Sequence, residues 1–370
     1  MNGVFAVNKP SGPTSQDIVG TLKHLFSDSP VFEHDVAHMK TKIAQARGPH
    51  GKRTRSQRQK KTFIKIGHGG TLDPLADGVL VIGVGSGTKK LQDYLGSCSK
   101  TYQAIALFGS ATTTYDSEGK ILKRTPTGYL TNELVESAMS QFRGDILQTP
   151  PVYSALKMDG KRLYEYARSG DALPKEVQPR KCKIDLLEIL NGGLVYDHNF
   201  SAPTEEASEQ EKEFADQLSK ISANERTKER GENSAPNSSE DTVDDRNPPI
   251  LEIKFTVSSG TYIRSLIHDI GIALGTTAHM VKLTRLKQGE WELGKNVFEM
   301  DDFKNQSHEV WGAQLKHYLV NGPATLIEDL RERKFDEAIE HKSATIQDLK
   351  EPNRVDGGRA DDDENKPKPQ

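Results

Sequence analysis

A glycine-rich stretch that runs directly into an apolar segment is the feature that most limits what this chain can fold into. Residues 67–78 read Gly-His-Gly-Gly-Thr-Leu-Asp-Pro-Leu-Ala-Asp-Gly, and residues 79–84 read Val-Leu-Val-Ile-Gly-Val. Glycine permits close backbone approach or positive φ, and Pro74 keeps Asp73 out of helical geometry. The apolar run has the length and residue types of a buried strand. The pattern therefore predicts a stiff loop, anchored by a strand, that displays the Asp73 carboxylate.

The glycines of residues 83–88 resemble two nucleotide-binding motifs, and neither motif fits. In a dinucleotide fingerprint the last glycine falls one residue later than Gly87, and a phosphate-binding P-loop has a glycine directly before its lysine, where Thr88 precedes Lys89. From the residues alone, a glycine-rich turn with a solvated aspartate stays open as an alternative to a catalytic loop.

Strand and helix patterns alternate along the rest of the chain. Alternating apolar residues predict strands at 101–108 and 250–257, and a short apolar run predicts another at 4–7. Helical spacing follows a cap at Thr14 or Ser15, another cap at Thr131, and the turn at 258–261. This mixture indicates an α+β protein.

Two charged segments interrupt these patterns. Residues 40–61 hold nine Lys or Arg and no acidic residue, which predicts a mobile basic insertion over about 28–62. A merely solvated loop, a nucleic-acid contact and a nuclear-import signal all stay open for this block; its candidate RNA contacts are Lys52, Arg53 and Arg55. Residues 201–247 hold thirteen acidic and six basic residues and one aromatic, so 199–247 is expected to be mostly disordered, with a transient helix near 209–218. The strands on either side of it are expected to share one sheet.

Overall composition agrees with a folded body diluted by solvated segments. Hydrophobic residues make up 34% of the chain and charged residues 28%, which is polar for a compact enzyme. The two cysteines, Cys98 and Cys182, lie far apart, so a disulfide scaffold and a zinc cluster are not expected and a reducing compartment is. No apolar run approaches the roughly 20 residues that span a bilayer, and no secretion signal is recognised, so we expect a soluble intracellular protein.

Seven short motifs together resemble the TruB-type tRNA pseudouridine synthases, which modify uridine 55 in the T loop. In order, they are residues 8–12, 67–78, 100–102, 109–119, 148–157, 160–168 and 258–266. The resemblance covers most of 3–198 and 250 to about 290. It implies the pseudouridine-synthase fold, which is α+β with a mixed, mostly antiparallel sheet and a central RNA-binding cleft flanked by helices. It also implies an enzyme without cofactor or metal that flips its target base out of the loop.

The resemblance makes Asp73 the catalytic carboxylate, Tyr102 the tyrosine that stacks on the base, and Arg264 the arginine that pairs with Asp73. Isomerisation of uridine to pseudouridine breaks a C–N bond and forms a C–C bond between the same two rings. A carboxylate can start this reaction by attacking the nucleoside or by abstracting a sugar proton, and the sequence does not choose between these mechanisms. Without the resemblance, Tyr102 reads as a core residue and Arg264 as a surface arginine near a helix start.

Two further residues have roles in RNA binding under the same resemblance. His68 matches a histidine that inserts into the RNA loop near the flipped base, although a lone histidine is more often structural. Lys9, followed by Pro10, is predicted to contact RNA phosphate or to support the active-site strand, and both interpretations stay open.

The sequence departs from the family at three places. Gly69 stands where many members carry threonine, both charged insertions are unusual for compact bacterial members, and the C-terminal RNA-binding domain of those members is not recognised after residue 300. The expected organisation is a discontinuous catalytic domain over 1–198 and 248–300, the acidic insertion 199–247, a helical extension 301–350 and a disordered tail 351–370.

The expected partner is the T arm of tRNA, bound by a monomer without membrane contact, and additional mRNA substrates are left open. A non-catalytic tRNA-binding factor of the same fold is the alternative from another class. The combination of Asp73, Tyr102 and Arg264 argues against it, because a pure binder has no need of all three. The basic residues 52–61 favour the nucleus, with the mitochondrion and cytoplasm left open.

Overall fold

A ten-stranded sheet organises the chain. The computed structural model describes residues 1–45, 63–151, 153–154, 156–169, 173–175, 177–213, 215 and 247–333. The strands of the large sheet are β1 (Gly3–Lys9), β2 (Ile66–His68), β3 (Asp77–Val84), β4 (Lys100–Phe108), β7 (Gly144–Gln148), β10 (Arg180–Val195), β11 (Ile250–Val257), β12 (Ala278–Gln288), β13 (Trp291–Glu292) and β14 (Phe298–Glu299). Two small hairpins are separate from it, β5 (Ser110–Thr112) with β6 (Ile121–Arg124), and β8 (Lys157–Met158) with β9 (Lys161–Arg162).

The large sheet is mixed, and most of its strand pairs are antiparallel. The strand order is β14-β1-β3-β12-β4-β11-β10-β7, with β2 paired to β3 and β13 paired to β12. The β1–β14 and β3–β12 pairs are parallel, and the other described pairs are antiparallel. The predicted α+β class with a mixed, mostly antiparallel sheet is therefore confirmed.

Helices cover the sheet, and two of them begin at caps that the sequence predicts. They are α1 (Ser15–Asp28), α2 (Glu33–Gln45), α3 (Leu91–Gly96), α4 (Asn132–Ser140), α5 (Leu163–Ser169), α6 (Ile263–Ala273), α7 (Met300–Lys304), α8 (His308–Asn321) and α9 (Ile327–Glu332). Thr14 caps α1 in a capping box with Asp17, and Thr131 caps α4. The buried face of α1 ends on Phe26. Among these described helices, none has both the length and the apolar character needed to cross a bilayer.

The two charged insertions are more ordered at their edges than the sequence predicts. A 3₁₀ turn at Pro30–Phe32 and helix α2 occupy the first part of the predicted basic loop, so Lys40 and Lys42 lie on a helix. Polar composition alone missed this helix, because the buried Phe32 and Val36 pack it against the body. The remainder of the basic block, 46–62, lies outside the described residues.

The acidic insertion has the same character at its start. The strands that flank it, β10 and β11, pair antiparallel as predicted. Within the segment expected to be mostly disordered, Ala207 is buried and its backbone bonds to Ile121 of β6. A helical turn spans 209–213, inside the range 209–218 for which the sequence predicts a transient helix. Residues 216–246 lie outside the described part.

The C-terminal helices complete the core beside β1. Trp311 of α8 stacks on Phe26 of α1 at 5.2 Å between ring centroids, and Phe303 of α7 contacts Phe5 of β1 at 5.9 Å. Residues 1–331 accordingly form one compact unit. Residues 301–331, which the sequence set apart as an extension, therefore pack into the same core as the sheet.

We expect Trp311→Ala to lower the free energy of unfolding by about 3–5 kcal/mol, because it removes a large side chain, 1% exposed, from an aromatic cluster. Urea unfolding followed by circular dichroism measures the change. The matched control is Val320→Ala on the same helix, 79% exposed, which should change stability by less than about 0.5 kcal/mol. A separate early transition for the C-terminal helices in the wild-type protein would contradict a shared core.

Candidate active site

The loop between β2 and β3 displays Asp73 and is tied to the segment that joins β1 to α1. Ser15 Oγ accepts a bond from the Leu72 amide at 2.8 Å and donates to the Leu72 carbonyl at 3.0 Å. The Gly12 amide donates to the Pro74 carbonyl at 2.8 Å. These bonds satisfy the backbone groups on both sides of Asp73, so the loop is held in one conformation, as the sequence predicts.

Lys9 supports this loop from below. Its Nζ donates to the carbonyls of Pro10 at 2.9 Å, Pro74 at 3.2 Å and Ala76 at 2.6 Å, and the residue is 0% exposed. Burial lowers the pKa of Lys9 from 10.5 to about 8, although Asp77 and Asp73 favour its charged form. Its three N–H groups are used and its surface is covered, so the structure gives no support to a contact of Lys9 with RNA phosphate, which stays a prediction. The alternative interpretation, support of the loop, fits the structure.

Strand β12 fixes the other side of the loop. Arg285 donates from Nε to the Val79 carbonyl at 2.6 Å and from Nη2 to the Gly70 carbonyl at 3.2 Å. Gln288 donates from Nε2 to the Gly69 carbonyl at 2.6 Å. Sequence reasoning missed both side chains, since they lie more than 200 residues from their partners and reach them only through the β3–β12 pairing.

Gly69 has a packing reason in this fold. A Cβ at this position would lie 2.9 Å from the Cβ of Tyr94 on α3, which is closer than van der Waals contact allows. The threonine that many family members carry would therefore push α3 away from the loop. Glycine in place of threonine at position 69 therefore allows α3 to lie close to the loop.

Asp73 is paired with Arg264 in the first turn of α6. Arg264 Nε lies 2.8 Å from Asp73 Oδ2, and the two side chains are 6% and 36% exposed. The Arg264 Nη atoms donate to the carbonyls of Thr114 at 2.8 Å and Tyr153 at 3.0 Å. The guanidinium is thus held on several sides while the carboxylate keeps an open face. This places the predicted pair together.

A second carboxylate, Asp116, lies against the same guanidinium. Arg264 Nε is 3.7 Å from Asp116 Oδ2, the hydroxyl of Thr114 donates to Asp116 Oδ1, and the Glu118 amide donates to the same oxygen at 3.1 Å. Burial raises the pKa of Asp116 above its usual 3.8, and the Arg264 charge opposes that rise. The sequence motif contained Asp116, but its spacing alone gave it no role.

Tyr102 and His68 line the cleft into which Asp73 opens. The cleft has a volume of about 720 Å³, and Asp73, Arg264 and Lys100 line it as well. Tyr102 is buried on β4, so its ring forms a wall of the cleft. Burial lowers the pKa of His68 below 6.5, and the Arg285 charge lowers it further, so the imidazole is neutral at pH 7. Its contact with RNA stays a prediction.

The remaining predicted RNA contacts, Lys52, Arg53 and Arg55, lie outside the described residues. Within the part of the chain that is described, no group of three or more His, Cys, Asp or Glu residues is arranged to hold a metal ion. The cleft therefore offers an ion-paired carboxylate, an aromatic wall and buried cations. This arrangement suits general base or nucleophilic chemistry on a planar, anionic substrate.

Comparison with known proteins gives matches over most of the chain. Residues 56–202 match the family model "TruB family pseudouridylate synthase (N terminal domain)", and residues 264–321 match "tRNA pseudouridylate synthase B C-terminal domain". The second match extends past residue 300 and overlaps the segment that the sequence analysis sets apart as a helical extension.

Individual relatives agree with the family models. The chain is 40% identical to tRNA pseudouridine synthase 4 of Saccharomyces cerevisiae, over 90% of this chain and 88% of that protein. It is 39% identical to the protein of the same name in Schizosaccharomyces pombe, over 81% and 82%. It is also 34% identical to tRNA pseudouridine synthase B of Parabacteroides distasonis, over 68% and 84%.

We expect Lys9→Met to destabilise the protein by about 3 kcal/mol, because three carbonyls, one buried and two partly buried, lose their donor. The slope of tRNA affinity against salt should not change, because no phosphate contact is lost. Chemical unfolding and salt titrations of binding measure the two effects, with Lys65→Met, at an exposed lysine, as the control. A shallower salt slope in Lys9→Met would restore the phosphate interpretation.

The stability difference between the wild-type protein and Lys9→Met is expected to depend on pH, and the pKa shift of Lys9 fixes the sign of that dependence. Between about pH 8 and 10.5 the unfolded lysine binds a proton that the folded one has lost. The contribution of Lys9 to the free energy of unfolding therefore rises with pH through this window, and the stability difference between wild type and Lys9→Met should grow.

Proposed function

Because the chain belongs to the TruB family of pseudouridylate synthases, we propose that it isomerises uridine to pseudouridine in tRNA, with Asp73 as the catalytic carboxylate. The observation that carries the proposal is the Asp73–Arg264 ion pair, which opens into a cleft with Tyr102 in its wall. The relatives named tRNA pseudouridine synthase in two yeasts support tRNA as the substrate.

The geometry divides the work of the reaction among three side chains. Arg264 holds Asp73 Oδ2 at 2.8 Å, which fixes the direction of the carboxylate at the cleft surface. Tyr102 supplies an aromatic face against which a flipped uracil can stack. The cleft volume of about 720 Å³ lies within the usual range for small-ligand sites. A cleft of this size accommodates one extruded nucleotide.

The chemistry of the substrate explains why so few groups suffice. The isomerisation is redox-neutral and transfers nothing to or from a second substrate. The carboxylate therefore needs only to start cleavage of the C–N bond, and a base is needed to remove the C5 proton. Asp73 is suited to attack the nucleoside or to take up a sugar proton, and Tyr102 is suited to assist removal of the C5 proton. Both routes for Asp73 stay open.

The finer parts of the proposal concern the target. We place it at uridine 55 in the T loop, read through loop shape and backbone charge. Lys100 and Arg162 line the cleft and supply cations for the phosphates near the flipped nucleotide. Contact of Lys52, Arg53 and Arg55 with RNA, action on mRNA, a monomeric state and a nuclear location stay predictions from the sequence.

Asp73→Asn should lower kcat by at least about 100-fold while tRNA binding stays within about threefold, because the amide keeps the shape of the carboxylate but neither attacks nor takes a proton. Release of tritium from C5-labelled uridine in tRNA measures turnover, and filter binding measures affinity. The matched control is Asp93→Asn, an exposed aspartate on α3, which should behave as wild type. Turnover by Asp73→Asn near the wild-type rate would exclude the assigned role.

An isolated T-arm stem-loop should be a substrate, with kcat close to that of full tRNA and a higher KM. The groups assigned to the chemistry line one cleft, so contacts with the rest of the tRNA contribute uniform binding, which raises KM when lost and leaves the chemical step unchanged. Tritium release from the two RNAs under single-turnover and steady-state conditions tests this. A stem-loop that stays inert at saturating concentration would show that recognition requires more than the T arm.

A further inference from the structure

Residues 205–207, in the first part of the acidic insertion, form an isolated backbone bridge to Ile121 of the β5–β6 hairpin. The Ile121 amide donates to the Glu205 carbonyl and the Ala207 amide donates to the Ile121 carbonyl, both at 2.8 Å, and Glu206 forms a parallel bridge with Ile121. Residues 203–263 lie between the two matched family models and belong to neither. The contact is therefore made by a segment outside both matches.

Burial and charge both hold this segment in place. Ile121 is 0% exposed and Ala207 is 5% exposed, so the contact is closed to solvent. Around it, Lys120 pairs with Glu205 at 3.0 Å and with Glu211 at 3.5 Å. The paired side chains are largely exposed, so the backbone bonds and the buried pair account for most of the docking.

The hairpin leads directly to the active site. Residues 113–120 join β5 to β6 and contain Asp116, which faces Arg264, and Thr114, whose carbonyl accepts from Arg264 Nη1 at 2.8 Å. Tyr115 sits in this turn at φ 63°, a conformation that a non-glycine residue keeps only when its surroundings hold it. On one side the turn is bonded to Met280 of β12 by two backbone bonds of 3.0 Å.

The other side of the turn depends on the hairpin itself. Thr112 pairs with Ile121 at a register shift, and the Thr113 amide donates to the Lys120 carbonyl at 2.9 Å. β5 and β6 are each four residues or fewer, so the ladder between them is short. Residues 205–207 add two backbone bonds to it through Ile121, next to the turn.

We propose that residues 203–213 are a positioning element of the active site, which holds the β5–β6 hairpin so that Asp116 and the Thr114 carbonyl stay on the Arg264 guanidinium. The segment touches no reacting group and acts through the turn. Its effect on catalysis rests on the function proposed above, whereas its docking on the hairpin does not. A loosened hairpin lets Arg264 shift, and with it the carboxylate of Asp73.

The test compares Ala207→Asp with Thr204→Asp. The first puts a carboxylate into a closed contact, and the second adds the same charge three residues earlier, at an exposed position of the same segment. We expect Ala207→Asp to lower kcat about tenfold and to leave KM for tRNA within about twofold, since small misplacement of a reacting group affects mainly the chemical step. Thr204→Asp should match wild type in both constants.

Hydrogen exchange of the folded protein measures the docking of residues 203–213 on the β5–β6 hairpin independently of enzyme activity. In Ala207→Asp, amides of residues 110–124 should exchange faster, while amides of β12 should keep the wild-type rate. If Ala207→Asp yields no folded protein, Ala207→Pro replaces it, because proline removes the amide that bonds to Ile121 without adding a charge.

A double-mutant cycle distinguishes positioning from general loss of structure. In an Asp116→Asn background, measured in single turnover, Ala207→Asp should change the rate by less than about twofold, because both substitutions act on one contact. If Ala207→Asp lowers the single-turnover rate equally in the wild-type and Asp116→Asn backgrounds, the proposal is overturned. It is also overturned if Ala207→Asp keeps the wild-type kcat although the amides of its β5–β6 hairpin exchange faster. If the wild-type protein itself releases no tritium, the proposed function fails and the catalytic role fails with it; an active wild type beside an unaffected Ala207→Asp overturns the positioning role alone.

Discussion

Arg264 carries a positive charge at a position that is almost closed to solvent, and the rest of the site is built around meeting its need for partners. A buried guanidinium without acceptors is strongly unfavourable. Here it has the carboxylates of Asp73 and Asp116 and the carbonyls of Thr114 and Tyr153. These partners come from separate parts of the chain, so one side chain fixes the catalytic loop, the β5–β6 turn and the segment after β7 relative to α6.

A second set of buried cations does the same for the loop that carries Asp73. Lys9 and Arg285 donate to carbonyls on its two faces, and both are covered by the surrounding structure. Backbone carbonyls are weak partners for full charges, and burial accordingly lowers the pKa of Lys9. Burial of these charges costs stability, but their bonds make the loop rigid. A rigid loop is what holds a reacting group in one orientation.

Segments that look peripheral in the sequence are part of this framework. The helices after residue 300 stack Trp311 on Phe26 beside β1, the strand that ends in Lys9. Residues 203–213 bond to the hairpin whose turn faces Arg264. Composition describes residues 203–213 as a polar, charged stretch, because their buried apolar contact is made by a single residue, Ala207, rather than by a periodic face.

The sequence alone predicts the α+β class, the strand that anchors the Asp73 loop, a helix cap at Thr14 or Ser15 and another at Thr131, and it contains the likeness that singled out Tyr102 and Arg264. Those features depend on local periodicity, on glycine and proline stereochemistry and on short motifs, which a linear reading contains. Only the tertiary structure decided that Lys9 is enclosed rather than free for phosphate, that Arg285 and Gln288 support the loop, and that Asp116 shares Arg264. Each of those contacts joins residues that are distant along the chain, and strand pairing brings them together, which no local pattern encodes.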